Sequence, residues 1–129
     1  MKKNLLVLLF GVCLAGSVGP NTLAARPAWA QSSDGQPITI TGEIWDATCG
    51  ANGSHGKMMT KLNAKDVKDC TLKCSQNGDK FVLFDLQNRI PYQLDDQDKA
   101  KQYAGQKVKV TGKYDKATNI LHVDLIDSQ

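Results

Sequence analysis

Hydrophobic and polar positions alternate through "ITITGEIW", where Ile38, Ile40, Gly42 and Ile44 share one face, and this predicts a strand. Gly42 inside it predicts a bulge or a sharp bend. From Ala47 to Leu62 neither a two-residue nor a helical period survives, and the small and polar residues predict a long loop. The spacing then becomes helical in "NAKDVKDCTLKCSQNG". Val67, Cys70 and Cys74 fall at i, i+3 and i+7 on one face, with Asn63 as N-cap and Gly78 as the stop. "KFVLFDL" is a nearly continuous apolar run and reads as a strand. After a turn at "QN", Ile90, Tyr92 and Leu94 alternate around Pro91, which predicts a short or edge strand. "DDQDKAKQYAG" predicts a short helix with acids at its start and Gly105 past its end. "QKVKVTGKY" alternates clearly, "DKATN" turns, and "ILHVDLI" supplies the last strand.

With the stretch 47–78 set aside as an insertion, the order is β-β-β-α-β-β. That is the order of a small five-stranded OB-like barrel, so the expected class is mainly β, with a loop–helix insertion between strands 1 and 2. Gly42 and Gly112 suit the corners of a strongly coiled small barrel. The alternative is another small α+β sheet with the same elements. The domain is expected over residues 38–127, behind a polar leader at 31–37.

The first thirty residues follow a different pattern. Lys2 and Lys3 precede the apolar run Leu5 to Ala15, and Ala28-Trp29-Ala30 supplies an A-x-A cleavage pattern. These features predict a signal peptide over 1–30 and a periplasmic or secreted mature protein cut near Ala30. The apolar run is short for a membrane span. Val12 before Cys13 departs from a lipoprotein anchor, so no stable membrane anchor is expected and Cys13 leaves with the signal. The formal charge of +3 belongs to Lys2, Lys3 and Arg26, because no acid precedes Asp34, so residues 31–129 are formally neutral. A neutral exported domain with no global basic excess is not expected to bind nucleic acid.

Signal removal leaves three cysteines, Cys49, Cys70 and Cys74, an odd number in a compartment where thiols normally pair. Two readings stand side by side. In the first, Cys49, His55, Cys70 and Cys74 form a metal site with spacing C-x5-H-x14-C-x3-C, three thiolates and an imidazole being a tetrahedral zinc set. Met58 and Met59 would extend that set toward copper, since sulfur and imidazole donors suit Cu(I), although paired methionines also serve as packing. In the second, Cys49 joins Cys70 or Cys74 in a disulfide, constraining the unfolded chain by about 3 kcal/mol.

The segments "DATCG", "DCTLKCSQNGDKFVLFD" and "AGQKVKVTGKYDKATNILHVDLI", with a nearby histidine, together resemble a family of small exported bacterial OB-fold proteins of unknown function. The resemblance covers residues 38–127 and implies fold and export; it brings no activity. In "CGANGSHGKMM" the gap between Cys49 and His55 is longer than that pattern.

The remaining candidates point to ordinary roles. A Cys49–His55 nucleophile pair would need an orienting residue and an oxyanion hole that nothing supplies, so catalysis is not expected. His122 is expected to face solvent from the last strand, and Asp95, Asp96 and Asp98 to favour the start of a helix. The expected function is a non-enzymatic, monomeric binding or envelope module. A protein or small ligand is the expected partner, and the Cys/His insertion holds structural zinc or, in the second reading, a disulfide.

Overall fold

The computed structural model describes residues 36–129, and the expected signal peptide and most of the leader lie outside the described residues. The fold is mainly β. Five strands, β1 (Pro37–Asp46), β2 (Phe81–Asp85), β3 (Ile90–Leu94), β4 (Lys107–Asp115) and β5 (Ile120–Ser128), carry it. They hydrogen-bond in a closed ring, β1-β2-β3-β5-β4 and back to β1. All pairings are antiparallel except the short β3–β5 contact at Gln93 and Leu94. No helix among the described residues is long and apolar enough to cross a membrane.

Alternation fixes the inside of the ring. Ile44, Leu83, Leu94, Val108, Val110, Leu121 and Ile126 are buried together there. The helix after β3, α4 (Gln97–Gln102), adds Ala100 to the same core. Asp96 caps α4 by accepting the Lys99 N–H at 2.9 Å, as the acids of this segment predict. Two glycines let strands approach closely. A Cβ on Gly42 would sit 2.5 Å from the Phe84 carbonyl oxygen, and one on Gly112 would sit 2.1 Å from that of His122, beside a register shift at Thr111/Gly112. Pro91 does not mark a free edge, because β3 pairs with β2 along its length and with β5 at its end.

The insertion differs most from expectation. The stretch predicted as a loop over Ala47–Leu62 forms two short helices, α1 (Ala47–Asn52) and α2 (Gly56–Leu62), before α3 (Val67–Gln76). Their ends are fixed by caps rather than by apolar periodicity. Asp46 caps α1, Gly53 ends it at φ 63°, and Asn63 ends α2 at φ 47°. Asn63 is therefore a C-cap. The N-cap of α3 is Asp66, which accepts the Asp69 N–H at 2.8 Å.

Packing the three helices on the outer face of β1 and β2 creates a second core. Trp45, Val82, Phe84, Cys49, Cys70 and Cys74 are buried in it, with Met58, Met59, Leu62 and Val67 packed against them. β2 is thus covered on both faces, and all five of its residues are buried. The unbroken apolar run "FVLF" reflects that double burial. Each large apolar side chain so covered contributes about 1.5–3 kcal/mol relative to exposure.

Candidate metal centre

Three elements converge at the junction of the ring and the insertion. β1 ends in Asp46, α1 carries Cys49, and α3 carries Cys70 and Cys74 one turn apart. One ligand atom from each of these four residues lies within 4.8 Å of all the others. The group is closed to solvent: Asp46, Cys49 and Cys70 are 0% exposed and Cys74 is 3% exposed. Such a cluster could hold a metal ion.

The local sequence explains the convergence. Asp46 has extended backbone, as an N-cap must, and its Oδ1 accepts the Cys49 N–H at 2.9 Å. The cap starts α1 immediately after β1 and turns the Cys49 thiol back over the strand end. The Ala47 N–H donates to the Lys80 carbonyl at 2.8 Å, which ties the start of α1 to the chain entering β2. On α3 the helical period puts Cys70 and Cys74 on the buried face together with Val67, as the sequence predicts. Lys73, also on α3, donates to the carbonyls of Leu62 and Asn63, at 3.3 and 3.1 Å, and so holds the end of α2 against α3.

All three cysteines are free thiols, so the expected alternative of a disulfide between Cys49 and Cys70 or Cys74 is not formed. Burial pushes each thiol upward, and the Asp46 carboxylate pushes the same way; Cys74 is raised to about 12. Thiols in this environment stay protonated unless a cation takes the proton's place.

Asp46 Oδ2 has no hydrogen-bond partner, although the residue is fully buried. A buried carboxylate with an unmatched oxygen is costly unless an ion or a donor compensates it. Asp46 takes the position in the set that the sequence assigns to His55. The sequence signal for it was the D-x-x-C spacing of an N-cap before Cys49, which is hidden by the strand pattern that Asp46 also completes.

His55 is drawn to the same region but does not converge with the four donors. It is the N-cap residue of α2, 6% exposed, with Nδ1 3.9 Å from Asp46 Oδ2. Its ring meets Trp45 edge-on with centroids 4.2 Å apart, and Trp45 stacks on Phe84 at 4.0 Å. Burial pushes the imidazole below its usual range, against the opposing pull of Asp46 and Glu43. Met58 and Met59 stand on α2 as partly buried packing against the second core. His122 is exposed on β5, as expected, and its Nδ1 lies 2.9 Å from Asp95 Oδ2.

Compared with known proteins, the chain matches no protein-family model, no curated protein and no solved structure. Its own geometry therefore carries the functional reading.

Proposed function

We propose that this chain is a small exported, non-enzymatic binding module, an OB-like barrel whose inserted helices are pinned to its outer wall by one structural zinc ion. The observation that carries the reading is the fully buried Asp46 carboxylate, which has an unpartnered Oδ2 and one oxygen among three buried thiols. A dication there offsets the carboxylate and lets the thiols ionise.

The donor set supports zinc over other metals. Three sulfurs are wrong for Ca²⁺ and Mg²⁺, which take oxygen ligands. Cu(I) would use the sulfurs and leave the buried carboxylate unmatched. Zinc accepts three thiolates and one carboxylate in a four-coordinate site. Because all four donors come from the protein and all are buried, no position is left for water or substrate, which favours a structural role over catalysis.

The strand order 1-2-3-5-4, the parallel β3–β5 contact and the helix between β3 and β4 support the OB-like reading. The insertion occupies the outer face at Trp45 and Phe84. A protein or small ligand would then engage the cleft of about 510 Å³ bordered by Ile38, Ile40, Asp85 and Tyr92, away from the metal. The A-x-A pattern at 28–30 supports export. The test is Cys74→Ser in the full chain, purified without chelator: retained zinc would count against the four-donor set, and loss of zinc supports it.

A further inference from the structure

Of the three inserted helices, α2 supplies no donor to the cluster. Its link to the centre is the residue that precedes it, His55. Building on the metal reading above, we propose that His55 is a positioning residue: its Nδ1–H donates to Asp46 Oδ2 in the metal-loaded protein, fixes that oxygen on the metal and ties α2 to the centre.

Three observations lead there. His55 is 6% exposed, and neither ring nitrogen has a partner. The facing carboxylate oxygen also lacks a partner, since it is Oδ1 that accepts the Cys49 N–H; Trp45 Nε1 and Thr71 Oγ1 are unpartnered as well. His55 Nδ1 and Asp46 Oδ2 stand 3.9 Å apart, about 1 Å beyond a good N–H···O distance. A carboxylate oxygen has two lone-pair directions, so Oδ2 can take a metal on one and an N–H on the other.

The surroundings favour a small closing movement over ring rotation. Trp45 meets the imidazole edge-on at an interplanar angle of 67°, and Trp45 is itself held in a stack on Phe84. The backbone is anchored as well, because the His55 carbonyl accepts the Met59 N–H at 2.8 Å. A ligand carboxylate hydrogen-bonded from outside is more tightly oriented, and removal of such a partner typically costs 10–100-fold in metal affinity.

The test is zinc affinity by competition with a chromophoric chelator, on the full chain and the variants H55L, H55Q, D46A and D46A/H55L. We expect H55L to keep one zinc per chain but bind it about 10–100-fold more weakly. H55Q, which keeps an N–H donor, should recover much of the loss. In the Asp46→Ala background, H55L should cost nothing further, because the residue acts through Asp46. An equal loss from H55L in both backgrounds would mean that His55 only fills space, and would overturn the proposal. Histidine ¹⁵N spectra of zinc-loaded wild type decide the matter without any variant. A neutral His55 carrying its proton on Nδ1 supports the proposal, whereas a metal-bound nitrogen or a bare Nδ1 refutes it. Wild type that takes up no zinc at all would instead remove the metal reading, and this one with it.

Discussion

Asp46 and Cys49 are joined by one hydrogen bond that serves fold and site together. The Asp46 Oδ1 accepts the Cys49 N–H at 2.9 Å, which caps α1, and the Cys49 thiol enters the same cluster as one of the Asp46 carboxylate oxygens. The last residue of a strand thereby starts a helix and contributes a donor.

These two duties of Asp46 separate by substitution. Asp46→Asn keeps a side-chain oxygen for the cap, and asparagine is as good an N-cap as aspartate. It should leave the metal-free protein at least as stable as wild type, because the buried unmatched charge is removed, while weakening zinc retention. Asp46→Ala should lose the cap as well, at about 1 kcal/mol in the metal-free protein. Thermal melts with and without chelator distinguish the cases; a metal-free Asp46→Asn protein as destabilised as Asp46→Ala would count against this division.

Metal removal should act on the insertion more than on the ring. The strands β1, β4 and β5 hold a core of their own, in which Ile44, Val108, Val110, Leu121 and Ile126 are buried. The helices α1 to α3 rest on the second core and the four donors. Chelation should therefore speed amide hydrogen exchange across residues 47–76 and leave the amides of β4 and β5 protected. Binding must displace thiol protons, so zinc affinity should also rise with pH. Uniform deprotection of the whole domain would show that ring and insertion unfold as one unit.

Most of the ring was legible in the sequence because alternation reports burial on one face, while β2 showed as a continuous apolar run and α4 through the acids at its start. The insertion was less so. The segments "ATCGAN" and "GKMMTKL" are too short and too glycine-rich to show a helical period, and caps at Asp46, Gly53 and Asn63 define them instead. Asn63 suits either end of a helix, so position alone could not tell an N-cap from a C-cap. Cys70 and Cys74 were readable from their seven-residue frame with Val67. Asp46 was not, because a residue closing a strand pattern gives no sign that its side chain turns into the next element.

The turn between β2 and β3 depends on a buried acid. Asp85 accepts the N–H groups of Gln87 and Asn88, both at 2.9 Å, and the Asn88 side-chain amide at 2.7 Å. Burial alone would raise its carboxyl, but these three donors prevail and hold it below the usual range. A carboxyl lowered in the folded state adds stability above its unfolded value of 3.8, and that stability is lost as pH falls through the lower folded value. Asp85→Asn should make stability fall less steeply with pH below about pH 4, with Asp69, Asp95, Asp96 and Asp115, which are also lowered, carrying the rest. Asp85→Ala should cost about 1–3 kcal/mol at neutral pH through its stranded donors. Denaturant midpoints measured from pH 2 to pH 7 provide the check, and an Asp85→Asn acid limb as steep as wild type would place the dependence elsewhere.

The central claim is tested most directly by elemental analysis and intact mass of the protein, purified without chelator. A zinc ion bound to Asp46, Cys49, Cys70 and Cys74 predicts one zinc per chain and three thiols that react only after denaturation in the presence of chelator. A protein without metal, with one reactive thiol and a mass two protons light, would contradict it.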